Sequence, residues 1–216
     1  MGEEQSLTRE ELKTPRSAAI AGMVFAVLLI TSQLLAWRSV PANSAAADVI
    51  RHSRAVSLAL NLLPFAGIAF LWFIAVVRSR LGALEDRFFA TVFMGSGLLY
   101  IAMVFTAAAL AGGLIRVLLN APAGLIPTGA YVVGRAEVYQ VMTVYGSKMA
   151  GVFMFSTSTI LLRTGIIRRW IAFVGYALGM ALVLSVGIFV WVSLVFPLWV
   201  FLVSAAMLFE KPSRTN

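Results

Sequence analysis

One lysine stands out among the residues that could bind a ligand, because it lies within a long apolar stretch. Lys148 is the seventh residue of the 21-residue stretch 142–162, which holds no other charge. At about 1.5 Å per residue, it would lie roughly 10 Å below one boundary of a bilayer. A cation at that depth either extends its side chain toward the headgroups or faces a polar cavity. The second alternative predicts a site that binds an anion or moves a proton.

Polar residues surround Lys148 along the same stretch. Tyr145 and Gly151 lie about one helical turn on either side of it, and both are candidates for lining the same cavity. Glu137 and Thr159 are each 11 residues from Lys148, which in a regular helix places all three within about 20° of one another. Hydroxyl groups at 156–159 have an alternative role, because such groups commonly bond between membrane helices.

Asn61 is a further candidate, because its amide precedes Pro64 by three residues in another apolar stretch. The pattern is typical of an opened helix that exposes its backbone to a ligand. An ordinary proline kink, satisfied by neighbouring helices, is the alternative. Asn61 and Gln33 are the candidate partners of Lys148 from other helices.

The sequence predicts neither a catalytic site nor a metal site. No Asp or Glu lies inside an apolar stretch, and the single histidine, His52, lies between Arg51 and Arg54 in a polar segment. The chain has no cysteine, which excludes disulfides and thiolate ligands. We therefore predict no catalytic residues, no metal, no cofactor and no enzyme activity.

These candidates must be positioned by membrane helices, as the composition indicates. The chain is 61% hydrophobic and 12% charged, whereas soluble domains are about 25% charged. We predict an all-α, polytopic integral membrane protein, a six-helix transmembrane bundle whose surroundings are the lipid bilayer. The net charge of +8 is typical of the loops of such proteins and does not indicate nucleic-acid binding.

The apolar stretches predict six spans between a polar N-terminal segment, 1–16, and a tail, 210–216. The charge-free stretch 170–209 is too long for one helix and predicts a hairpin that turns near 185–187. Residues 111–135 contain several prolines and glycines and are predicted as an interfacial loop rather than a re-entrant segment. The predicted spans are about 17–37, 55–77, 88–110, 138–162, 170–186 and 188–208.

Orientation follows from the lysines and arginines. With the N-terminus in the cytoplasm, eleven of the 17 fall on the cytoplasmic side. We therefore expect both termini in the cytoplasm and a location in the cell membrane, specifically a bacterial inner membrane.

Two function hypotheses remain open. The first is a transporter-like or channel-like protein for an unidentified small molecule or ion, with a polar cavity lined by the fourth helix. The second is a non-catalytic structural or accessory membrane protein that acts through helix–helix contacts. For the second, Gly175 and Gly179 in the fifth span form a GxxxG pair that permits close helix packing, within the chain or in a homo-oligomer.

Overall fold

All regular secondary structure in the described part of the chain is helical. The computed structural model describes residues 2–41, 44–79, 87–122, 128–164, 168–185 and 191–209. Its elements are α1 (Gly2–Ser39), α2 (Ala46–Arg51), α3 (Ser53–Ser79), α4 (Arg87–Leu119), α5 (Thr128–Gln140), a π-helical segment (Val141–Gly146), α6 (Ser147–Thr164), α7 (Arg169–Leu184) and α8 (Val192–Phe209).

Four of these helices are long and apolar enough to cross a membrane. They contain the stretches Ser17–Ser39, Ser53–Arg78, Phe88–Leu119 and Val192–Phe209, and α7 is apolar but shorter. A helix satisfies its own backbone hydrogen bonds, which is why such apolar sequences form helices in lipid. The all-helical class is confirmed and the four spans are compatible with a membrane protein, whereas the predicted count of six is not confirmed.

Aromatic rings fill the centre of the bundle. The ring of Phe70 on α3 is fully buried, and its centroid lies 4.4 Å from that of Phe25 on α1 and 5.1 Å from that of Phe153 on α6. Phe196 on α8 and Tyr100 on α4 lie 5.6 and 5.9 Å from the same ring. Rings at such separations have favourable edge-to-face or offset contacts, so one cluster holds five helices together.

A second, smaller apolar cluster lies where α1 ends and α3 begins, and we call this part of the molecule the α2 end. It joins α2 to the last turns of α4 and the first turns of α5 through Val49, Ile115, Leu118 and Tyr131. The Tyr131 hydroxyl donates a hydrogen bond of 2.8 Å to the Ser44 carbonyl. These contacts fix α5 against the rest of the bundle.

The prediction of a loop over 111–135 was wrong for 111–119 and for 128–135, and residues 123–127 lie outside those that the structure describes. Helix α4 continues through Gly112 and Gly113 to Leu119, and α5 already begins at Thr128. Glycine is tolerated within apolar helices. The packing of Ile115 and Leu118 in the second cluster stabilises the additional turns, as tertiary contacts do for most helices.

Candidate functional site around Lys148

Lys148 is the second residue after the π-helical segment, Val141–Gly146, which joins α5 to α6. In a π-helical segment the backbone hydrogen bonds join residues i and i+5, and such wide turns often occur at functional sites. A π-helical turn contains one residue more than an α-helical turn. This additional residue rotates the side chains that follow it by roughly 100° relative to their positions in a regular helix. Lys148 and Thr159 keep their predicted relation within α6, but Glu137 lies before the wide turn and leaves their face.

The ammonium group of Lys148 lies at the C-terminal end of α7. Its Nζ donates a hydrogen bond of 3.3 Å to the carbonyl oxygen of Ser185, the residue that caps α7. The Ser185 hydroxyl in turn donates to the Leu182 carbonyl at 2.8 Å. The last carbonyls of a helix have no partners within the helix and carry partial negative charge, so a lysine there stabilises the end.

Helix α7 is shorter than the thickness of a bilayer core. Its 16 residues span about 24 Å, whereas a bilayer core is about 30 Å thick. If α7 starts at one boundary of that core, it ends short of the other. Each carbonyl group that has no hydrogen-bond partner inside hydrocarbon destabilises the protein by roughly several kcal/mol. Lys148 and the Ser185 hydroxyl provide hydrogen-bond partners for carbonyl groups at this helix end.

Gly151 and Gly179 lie at a close contact between α6 and α7. A Cβ atom added at Gly151 would lie 2.7 Å from the Gly179 carbonyl oxygen, and one added at Gly179 would lie 3.1 Å from the Gly151 carbonyl oxygen. A Cβ atom at Gly175 would collide with Ser158 on α6 and with the Trp199 ring on α8. The GxxxG pair is therefore occupied by helices of the same chain.

The other two predicted cavity residues lie elsewhere. Tyr145 is 55% exposed and points away from the bundle. Asn61 lies on the exposed side of α3, in a groove lined by α3 and α4, and Lys148 is not among the lining residues. The structure therefore brings together Lys148 and Gly151 at the α6–α7 contact, without Tyr145 or Asn61.

The hydroxyl groups of α6 mostly bond within their own helix. Ser156, Thr157 and Thr159 each donate to the carbonyl four residues earlier, at 2.9, 2.7 and 2.9 Å. The Thr159 hydroxyl also lies 2.6 Å from the hydroxyl of Tyr176 on α7, which links the two helices. Such local bonds satisfy a hydroxyl without a solvated pore.

The cavity next to this site is small. Ser147, Tyr100 and Phe196 contribute to its walls, and its volume is about 10 Å³, room for at most one water molecule. Within the residues that the structure describes, no group of three or more His, Cys, Asp or Glu side chains could hold a metal ion.

A larger groove lies between α3 and α4 toward the α2 end, with a volume of about 500 Å³. Sequence reasoning singled out Asn61 but missed this groove. The available signal was the spacing of Ser57, Asn61 and Pro64, which places three helix-atypical residues on one face. The opposite wall is α4 from Phe105 to Leu119, and the part of it after residue 110 was predicted as a loop. The lining residues are Ser57, Leu60, Asn61, Pro64, Phe105, Ala108, Ala109, Gly112, Ile115, Arg116 and Leu119.

Helices of spanning length and a buried contact between α6 and α7 are features compatible with a multi-pass membrane protein. Comparison with protein-family models, with curated proteins and with solved structures finds no significant match to this chain.

Proposed function

We propose that this chain is a non-catalytic, multi-pass membrane protein with a structural or accessory role that depends on helix–helix contacts. The hydrogen bond from Lys148 to the end of α7 carries the proposal. The transport hypothesis rested on this cation facing a cavity. An ammonium group that caps a neighbouring helix instead stabilises the bundle.

The packing of the bundle supports the same proposal. A conduit lined by α6 would need space between α6 and its neighbours. Phe153 on α6 lies against Phe70 and Phe93, with ring centroids 5.1 and 4.8 Å apart, and all three side chains are fully buried. On the other side, α6 meets α7 through two glycines. Both faces are thus in van der Waals contact with protein.

The proposal includes six spans, in which α6 belongs to the fourth span and α7 forms the fifth. Helix α6 contains Lys148 and Arg163, which lowers its mean hydropathy, and α7 is short, so each depends on the other to remain in lipid. Both termini would lie in the cytoplasm and the protein in the cell membrane, following the distribution of lysine and arginine.

Cysteine labelling tests the role of Lys148, because the chain has no native cysteine to interfere. A membrane-impermeant maleimide is applied to cells that express Lys148→Cys or Ala45→Cys. We expect Ala45→Cys, which is exposed at the α2 end, to react, and Lys148→Cys to remain unlabelled. Rapid labelling at position 148 would show water at the α6–α7 contact and would favour transport instead.

The same method tests orientation and the homo-oligomer. Labelling of Ala45→Cys from outside and of Ser213→Cys only after permeabilisation would agree with cytoplasmic termini. Because the glycine face of α7 is occupied, a homo-oligomer through this helix would use its exposed face, which includes Ala177. Oxidation should then cross-link Ala177→Cys but not Ala75→Cys, an exposed position on α3. No cross-link at Ala177 would argue against this interface.

A further inference from the structure

We infer that the groove between α3 and α4 binds one anionic phospholipid, with the phosphate at Arg116 and an acyl chain along the apolar walls. The groove is a binding surface separate from the α6–α7 contact, and neither Lys148 nor Gly151 lines it. The inference goes beyond the structural role proposed above and does not depend on it.

The shape of the groove fits an acyl chain. Its volume of about 500 Å³ is within the range of about 300–1,000 Å³ typical of small-molecule sites. From Phe105 to Arg116 the wall extends 11 residues, about 16 Å along α4. That length is close to half of a bilayer core of about 30 Å, the depth of a single leaflet. Phe105 closes the deeper end, where its ring covers Gly67 of α3.

The groove is apolar at one end and charged at the other, as a phospholipid is. Pro64, Phe105, Ala108 and Ala109 form the deeper, apolar part, whereas Arg116 is exposed near the α2 end. Asn61 and Ser57 lie between these parts on the α3 wall and offer hydrogen-bond donors at the depth of a glycerol ester.

Positive charge at the mouth selects an anionic headgroup. The guanidinium of Arg116 is exposed, and among the described residues that line the groove Arg116 is the one cation. Within the described ranges, no acidic side chain lines the groove. Guanidinium groups bind phosphate oxygens through paired hydrogen bonds. A neutral, zwitterionic headgroup would bring a second cation beside Arg116, so phosphatidylglycerol should bind more tightly than phosphatidylcholine.

Gly112 and Gly113 provide a matched pair of variants to test the site. A Cβ atom at Gly112 would meet only Leu60, at 3.9 Å, and would project into the groove, whereas a Cβ atom at Gly113 would meet nothing within 4 Å and points elsewhere. Both changes to leucine remove a helix-interior glycine and should favour α4 similarly. Only Gly112→Leu fills the groove.

The experiment is native mass spectrometry of the full-length protein in detergent, titrated with palmitoyl-oleoyl phosphatidylglycerol or phosphatidylcholine. We expect one phosphatidylglycerol per chain, bound about five-fold more tightly than phosphatidylcholine, as expected for one interfacial arginine. Arg116→Gln should remove this preference, while Arg38→Gln, an exposed arginine of α1 at the same end, should keep it.

Gly112→Leu should lose binding of both lipids, and Gly113→Leu should bind as the wild type does. If Gly112→Leu does not purify as a folded protein, Ala109→Leu on the same wall replaces it. Equal binding by the Gly112 and Gly113 variants would overturn the site. A wild-type protein with no preference for phosphatidylglycerol, or a preference that survives Arg116→Gln, would overturn the assignment of the anionic headgroup.

Discussion

Replacing Lys148 by methionine should destabilise the protein by about 1 kcal/mol, because it removes the cation from the end of α7. Methionine keeps the side-chain length and flexibility, so the change isolates the ammonium group. A hydrogen bond to a charged group contributes about 1.5–3 kcal/mol. The observed distance of 3.3 Å is long for such a bond, and Lys148 is half-buried, so we expect a value below that range.

The assay is thermal unfolding in detergent, followed by tryptophan fluorescence. For a chain of this size, about 1 kcal/mol corresponds to a Tm lowered by roughly 2–4 °C. Lys148→Arg should restore most of the loss, because arginine retains the positive charge. Tyr145→Phe, one turn earlier and exposed, serves as the control and should leave the Tm unchanged. A methionine variant as stable as the wild type would refute the capping role of Lys148.

Three further stability predictions use the same assay. Phe70→Ala should lower the free energy of unfolding by about 3–5 kcal/mol, since it leaves a cavity in the aromatic centre. Phe65 is 63% exposed on the same helix, so Phe65→Ala should have a far smaller effect. Similar losses of stability in the two variants would contradict the packing described. Gly151→Ala should cost about 1–3 kcal/mol by forcing α6 and α7 apart, while Gly95→Ala, with open space around it, should not destabilise. Ser158→Ala should be neutral or stabilising, because this buried hydroxyl has no hydrogen-bond partner in the described part of the chain; a marked loss would reveal one.

The helices without interruptions could be predicted from the sequence to within a few residues. The predicted spans 17–37 and 55–77 correspond to Ser17–Ser39 and Ser53–Arg78. In the long charge-free stretch, α7 ends at Leu184 and α8 begins at Val192. Its predicted turn includes Ser185, and residues 186 and 187 lie outside those that the structure describes. Continuous apolarity indicates such helices because lipid leaves the backbone no alternative.

The extension of α4 past Gly112, the start of α5 at Thr128 and the π-helical segment could not be predicted, because they depend on contacts between distant segments. Local signals such as glycine and proline favoured a loop, but α4 continues to Leu119 and α5 begins at Thr128, where both helices pack in the cluster that includes α2. The π-helical segment left no recognisable pattern, and it removed Glu137 from the face of Lys148. Residue type and depth singled out Lys148, with Asn61 and Gln33 as candidate partners, yet its Nζ donates to a backbone carbonyl, which sequence patterns do not specify.

The α6–α7 contact shows how one polar residue and two glycines can depend on each other. Because Gly151 and Gly179 have no side chains, α7 approaches α6 closely enough for Lys148 to reach the Ser185 carbonyl. If a larger residue at 151 separates the helices, the ammonium group and the end of α7 should both lose their partners in an apolar medium, where such losses are costly. Gly151→Ala and Lys148→Met should therefore be non-additive, since the first already weakens the bond that the second removes. A double variant whose stability loss equals the sum of the two single losses would show that packing and capping are independent.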